Sequence, residues 1–262
     1  MSKHTIVTLP GDGIGSMVLK QALRVLDTAG FNADYIHGDI GWEFWCKEGN
    51  PLPDRTIELI RKHRVALFGA ITSKPNDEAK AELDPSLQGK EFSYSSPIVG
   101  LRQRFNLDIC VRPCKSYKGN PLNFIRRGRG DRVEEPLINV VIFRQNTECL
   151  YSGVEWTSPP EQVYKALMTH PKFVENFGKV PVDELSVSTR IFTRRATERI
   201  LSAAFDHARK FGYKSVTVCE KPNVIRETSG LMWKMAKEIQ KTSYSEIRLL
   251  NTNIDAQMMW LT

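Results

Sequence analysis

The sequence predicts an α/β fold built on a mostly parallel sheet, and three observations point there. Short apolar, β-branched runs alternate with stretches whose apolar residues recur at helical spacing. The first run ends in a glycine-rich turn that opens directly into a helical pattern. The chain has 262 residues, 41% of them hydrophobic and 26% charged, which is enough apolar side chain for one large or two moderate cores.

Taken in order, residues 5–9 form a strand that ends in Pro10-Gly11-Asp12-Gly13-Ile14-Gly15. Val18, Leu19, Ala22, Leu23, Val25 and Leu26 then recur at the spacing of a helix. A second strand is expected over residues 33–37, a helix over 57–62, and a buried-type strand over 65–68 that closes at Gly69. Residues 74–89, rich in Asp, Glu, Lys and Pro, read as a mobile surface loop. Prolines, glycines and a basic run mark a crossover between domains over 113–136. Beyond it, residues 137–143 read as a strand, and Thr193 caps a helix that runs to Phe211 and closes at Gly212. That helix carries Ile200, Ala203, Ala204 and Ala208 on one face, and residues 216–219 form the next strand.

Charge and cysteine content narrow the function classes. The 37 basic side chains exceed the 30 acidic ones, giving a net charge of +7, which suits an anionic small molecule as well as nucleic acid. The cluster Arg126, Arg127, Arg129 and Arg132 lies in one loop without interleaved aromatics, so no nucleic-acid partner is expected. The 5 cysteines (Cys46, Cys110, Cys114, Cys149 and Cys219) are odd in number and lack a CxxC pair, so neither a disulfide framework nor a zinc site is expected. The amino-terminal residues carry no signal core, and no apolar run approaches the roughly 20 residues that span a bilayer. The expectation is a cytoplasmic protein with no membrane partner, or one in the mitochondrial matrix after loss of a presequence.

Two motifs bear on chemistry. Gly11-x-Gly13-x-Gly15 departs from the GxGxxG spacing of a dinucleotide-binding turn, and Asp39, at the distance of a ribose ligand, follows Gly38 in a turn. A tight strand-to-helix turn is the reading favoured. Arg102, Arg112 and Arg144 follow or end apolar runs, and the planar guanidinium fork grips carboxylates with two bonds, so together they suit a pocket for a polyanionic small molecule. Singly, each arginine reads as well as a solvated surface residue.

In order along the chain, LPGDGIG, Gly49-x-Pro51-Leu52-Pro53, Gly69-Ala70-Ile71-Thr72, SPIVGLRQRFNLDICVRP, FRQNTECLYSGVEW and CEKPNVIRETSG resemble the β-decarboxylating dehydrogenases of isocitrate and 3-isopropylmalate. The resemblance implies a non-Rossmann large domain with a parallel sheet plus a smaller α/β domain. Residues 1–117 would open the large domain, 118–255 would form the small, dimerisation domain, and 256–262 would begin the return. It also implies oxidation of a 2-hydroxy acid by NAD or NADP, followed by decarboxylation with Mg²⁺ or Mn²⁺. Ser96, Arg102, Arg112 and Arg144 match the substrate-carboxylate ligands, and Tyr151 the general acid. Lys221 matches a catalytic lysine supplied across a homodimer, with Asn223 beside substrate and nicotinamide. Thr72 matches the nicotinamide-side threonine and Asp255 a metal-binding aspartate.

FRQNTECLYSG and Ser96 place isocitrate first among substrates, and the GAIT and SPIV segments favour NAD. Ile98 stands where many isocitrate enzymes carry asparagine and Phe68 where some carry lysine, so homoisocitrate, 3-isopropylmalate and tartrate stay open. The family's later metal aspartates and adenine-binding segment have no counterpart in these residues, so a fragment of a longer enzyme or a truncated regulatory subunit is expected.

Overall fold

The computed structural model describes residues 3–128 and 133–261, which divide between Asn106 and Leu107 into two compact units. In the first unit the chain runs through β1 (His4–Gly11), α1 (Gly15–Thr28), β2 (Ala33–His37), α2 (Trp42–Glu48), α3 (Asp54–His63), β3 (Ala66–Ala70), α4 (Asn76–Ala81) and α5 (Pro97–Arg104). The strands form a parallel sheet in the order β2-β1-β3, with Ile6 opposite Tyr35 and Leu9 opposite Phe68. Val7 and Leu9 of the central strand pack with Ile40, Leu52, Ile57 and Ile60 into a buried core. Ile6, Val7, Thr8 and Leu9 are all buried, so both faces of β1 are covered, which explains why residues 5–9 are a β-branched run without apolar–charged alternation.

The second unit continues with β4 (Ile109–Lys115), β5 (Arg126–Arg127), β6 (Val133–Glu134), β7 (Asn139–Gln145), β8 (Glu155–Thr157), α6 (Glu161–Leu167), α7 (Pro171–Phe177), β9 (Ser186–Ser188), α8 (Arg194–Phe211), β10 (Ser215–Glu220), α9 (Arg226–Ser243), β11 (Arg248–Asn253) and α10 (Ile254–Leu261). β10 and β11 are parallel, whereas β4–β7, β5–β6 and β8–β9 are antiparallel ribbons. Leu201, Val218, Met235 and Ala236 form one buried cluster, and Phe205, Ala208, Tyr244 and Ile247 another. α8 has the expected ends: the Thr193 hydroxyl accepts from Ala196 N at 3.2 Å, and Gly212 takes φ 75°. Of its expected stripe, Ile200 and Ala208 are buried, joined by Leu201 and Phe205.

Residues 74–89 correct the sequence reading. They hold α4 and dock on α2 through Ala79 and Leu83, which are buried with Trp45. Trp45 Nε1 donates to the Ala79 carbonyl at 2.7 Å, Lys74 pairs with Glu82, and Asp84 N donates to the Cys46 carbonyl at 2.8 Å. Ala79 and Leu83 are spaced one helical turn apart, a two-residue apolar stripe too short to register beside so many charges. In the basic crossover, Arg126 Nε donates to Glu134 at 2.9 Å in the exposed β5–β6 ribbon. Arg129 and Arg132 lie outside the described residues.

Candidate functional site

In the first unit the glycine turn is a steric joint. A Cβ on Gly11 would stand 1.9 Å from the Ala70 carbonyl oxygen, and one on Gly15 would stand 2.1 Å from that of Pro10. Only glycine lets the end of β1, the start of α1 and the end of β3 approach this closely. Asp12, held between them, donates its own N–H to the Ala70 carbonyl at 2.7 Å. Its carboxylate accepts from Trp42 N on Oδ1 at 2.6 Å and from Thr72 N on Oδ2 at 2.8 Å. One side chain thus fixes the first turn of α2 and the chain leaving β3.

Thr72, expected beside a nicotinamide, is therefore held from both sides. Its N–H is bound to Asp12, and its carbonyl accepts from the Tyr94 hydroxyl at 2.9 Å. Burial pushes the Tyr94 phenol above its ordinary range, which keeps it a neutral donor. Ser96 is the N-cap of α5, but its hydroxyl makes no capping bond, and half-buried Arg102 stands in the last turn. A cleft of about 430 Å³ opens at the carboxyl ends of β1 and β2, lined by Gly11, Asp12, Ser16, His37, Glu43 and Phe44 among others. The glycine turn lines it, through Gly11 and Gly13, but none of the substrate, nicotinamide or metal residues expected from the family resemblance does. Asp12 and Tyr94 were missed by sequence reasoning; an acid between two glycines at a strand end was the available signal for Asp12.

The second unit assembles a denser group. In the β4–β7 ladder Cys110 lies opposite Arg144 and Arg112 opposite Ile142, so Arg112 and Arg144 share one face as diagonal neighbours. Arg112 is exposed, and Arg144 is half-buried with its guanidinium carbon 5.3 Å from the Tyr151 ring centre. Nearly every residue of the loop leading to Tyr151 is tied down. Gln145 Oε1 accepts from Thr147 N at 2.6 Å and Glu148 N at 3.0 Å. Asn146 N donates to the Asp108 carbonyl at 2.9 Å. The Glu148 carboxylate accepts from Thr193 N at 2.8 Å and Thr193 Oγ1 at 2.7 Å, so an anion occupies the amino end of α8. Cys149 takes φ 64° and ψ −129°, its N–H donates to the Ile191 carbonyl at 2.9 Å, and its carbonyl accepts from Ser152 Oγ at 2.9 Å.

Lys221 and Asp255 follow the carboxyl ends of the adjacent parallel strands β10 and β11, the position where α/β sheets place ligand groups. Lys221 Nζ pairs with Asp255 Oδ1 at 2.8 Å, and that bond is the leading reason the Asp255 carboxyl lies below the usual range. The Lys221 carbonyl accepts from Val224 N at 3.2 Å and Ile225 N at 2.8 Å, shaping the turn that exposes Asn223. Arg190 links the two sets: its Nε donates to Cys149 Sγ at 3.2 Å, and its Nη2 lies 3.8 Å from Glu220 Oε2, one residue before Lys221. Sequence reasoning missed Arg190, Asn146 and Glu148, since nothing in their spacing distinguishes them from solvated residues.

Asp255 was the one metal ligand expected. Among the described residues no group of three or more His, Cys, Asp or Glu could hold a metal ion, so within them Asp255 offers one oxygen ligand, paired with Lys221, and a divalent cation would need further ligands beside it. Among them too, no helix is long and apolar enough to cross a membrane.

Residues 5–262 match the model of the isocitrate/isopropylmalate dehydrogenase family. The chain is 36% identical over 258 residues to protein DlpA of Legionella pneumophila, covering 98% of this chain and 38% of that protein. It is 32% identical over 256 residues to a 3-isopropylmalate dehydrogenase of Archaeoglobus fulgidus, covering 98% of this chain and 62% of the relative. The crystal structure of isocitrate dehydrogenase from Methylococcus capsulatus superposes with a TM-score of 0.73 at 31% identity, over 98% of this chain and 62% of that one. The chain thus spans less than two thirds of the length of these relatives.

Proposed function

Because the chain belongs to the isocitrate/isopropylmalate dehydrogenase family, we propose that it takes part in oxidative decarboxylation of isocitrate to 2-oxoglutarate with NAD as hydride acceptor. The observation that carries this reading is the β4–β7 face on which Arg112 and Arg144 stand as diagonal neighbours, with the Arg144 guanidinium against Tyr151. Two cations on one face fit a substrate with more than one carboxylate, and Tyr151 on the adjoining loop fits a proton donor.

In this reading the residues that orient the substrate carboxylates are Ser96, Arg102, Arg112 and Arg144. Fixing a reactant in this way converts binding into a lower barrier by proximity. Tyr151 gives its phenolic proton to the carbon that loses carbon dioxide. Lys221 exchanges a proton with Tyr151 or with the substrate hydroxyl, and Asn223 sits beside substrate and nicotinamide. NAD, when bound, accepts the hydride. Thr72, with its main chain bonded on both sides, fits a fixed edge against the nicotinamide ring. Mg²⁺ or Mn²⁺, NADP in place of NAD, and a homodimer in which Lys221 and Asp255 serve the partner's site belong to the same proposal for the assembled enzyme.

A truncated regulatory subunit is the second reading, favoured by the finding that among the described residues Asp255 belongs to no group of three or more possible metal ligands. Related substrates are the third: homoisocitrate, 3-isopropylmalate or tartrate. One assay separates all of them: nicotinamide reduction by the 262-residue chain with Mn²⁺, each acid being tested against NAD and NADP. The expected result is reduction of NAD with isocitrate. Turnover with a different acid replaces the substrate. Silence in a folded sample, together with a hetero-oligomer formed on mixing with a full-length relative, replaces the enzyme by a regulatory subunit.

A further inference from the structure

We infer that Asn146 is a positioning residue that sets the Arg144 guanidinium, and that as a neutral amide it does so while leaving the charge of Arg144 to an anionic ligand. The inference rests on the substrate-binding reading of Arg144 given above.

Asn146 is 7% exposed and bonded through both ends of its amide. Nδ2 donates to the Leu107 carbonyl at 3.1 Å, and Oδ1 accepts from Arg144 Nη2 at 3.0 Å. These partners fix which way the amide faces. Turned over, it would set an NH₂ against a guanidinium and an oxygen against a carbonyl. The Asn146 main chain is pinned as well, by the bond from its N–H to Asp108, and the Asp108 carboxylate is taken by Arg199 Nη2 at 2.9 Å.

Arg144 is held in turn by what surrounds it. One edge is bound to Asn146, and the guanidinium carbon lies 5.3 Å from the Tyr151 ring centre. Its Nε is shut off from solvent and has no hydrogen-bond partner among the described residues. A buried guanidinium N–H left without an acceptor is rare, and here it sits next to the tyrosine read as the proton donor. No carboxylate forms an ion pair with Arg144 among the described residues, and the Asn146 contact is to a neutral group. An aspartate at position 146 would hold the guanidinium just as closely but would cancel its charge. Asparagine aims the cation and leaves that charge for an anionic ligand.

The test uses the full chain with isocitrate as probe. Calorimetric titration compares the parent with Arg144→Gln, Asn146→Ala and Asn146→Asp, and a urea midpoint is measured for each. Asn146→Ala is expected to weaken binding about tenfold and Asn146→Asp about a hundredfold, because the second variant adds a competing carboxylate. Equal weakening by the two variants, in step with equal losses of stability, would leave Asn146 a packing residue and overturn the inference. Unchanged binding by Arg144→Gln would instead sink the substrate-binding reading itself. A second measurement needs no Asn146 variant: in the parent chain with ¹⁵N-labelled arginine, the Nε–H resonance absent from Arg144→Gln is expected to move downfield on addition of isocitrate. A resonance unmoved at saturating isocitrate also overturns the inference.

Discussion

The two units hold their candidate residues by opposite means. In the first, a single carboxylate reaches across the sequence: Asp12 bonds Trp42, 30 positions away, and Thr72, 60 positions away. In the second, the segment leading to Tyr151 is fastened by many modest bonds, most of them shared with neighbours or with the strand beside it. The contrast concerns fragility. A joint made by one ionised group fails when that group is lost, whereas a loop tied at nearly every residue loses its geometry by degrees.

Removing the central group should therefore give the largest effect. Asp12→Ala strands the N–H groups of Trp42 and Thr72 in a half-buried turn, and bonds to a charged acceptor contribute about 1.5–3 kcal/mol each. A loss of about 3 kcal/mol is expected, read as a fall in the urea midpoint, with Asp12→Asn losing roughly half as much. Glu148→Ala should cost about 1 kcal/mol, since Thr193 keeps its own bond to Ala196 and α8 keeps its cap. If Glu148→Ala cost as much as Asp12→Ala in the same titration, the distinction between one clamp and many ties would collapse.

How legible each region was follows from the range of its bonds. The strand at 5–9 and the helix from Thr193 to Gly212 were readable because their signals are local: a β-branched run ending in a glycine turn, a hydroxyl cap, a glycine at positive φ. α4 was not, because the partner of its Ala79–Leu83 stripe is Trp45, more than 30 residues earlier. Arg112 and Arg144 could be singled out individually, but that they share a face depends on the β4–β7 register, which no window of sequence contains. The same holds for Lys221 and Asp255, which meet because β10 and β11 pair in parallel. Asp12 lay in plain view between two glycines, yet its role depends on two distant N–H groups.

Strain offers a sharper probe of the loop. Cys149 holds φ 64°, a conformation disfavoured for side chains with a Cβ, between the strand pairing at Ile191 and the turn to Tyr151. Cys149→Gly relieves that strain but frees the unfolded chain and gives up the Sγ contact with Arg190. A net gain of about 0.5 kcal/mol is expected, against a loss for Cys149→Ala, which keeps the strain and loses the sulfur. A thermal scan of both variants checks the sign; a gain for alanine as well would mean that the ties, and not the backbone geometry, set the cost.

The smallest effect belongs to the surface of the first unit, where charge is shared as redundantly as bonds are in the Tyr151 loop. Arg55 donates to Glu48 at 2.6 and 2.8 Å and to Asp39 at 2.6 Å, all partly exposed. Its bonds hold the Glu48 carboxyl below the usual range. A carboxyl whose folded pKa is depressed adds stability that is fully present above its unfolded value of about 4.3 and is lost as pH falls through the folded value. Arg55→Gln should thus lower stability by about 0.3 kcal/mol at pH 7, within the range of exposed pairs, and the gap from the parent should close as pH falls below about 4. Urea midpoints at a series of pH values test this. A gap that persisted in acid would mean that Arg55 acts through the contact of its guanidinium with the Phe44 ring, 5.4 Å from the guanidinium carbon, and not through its ion pairs.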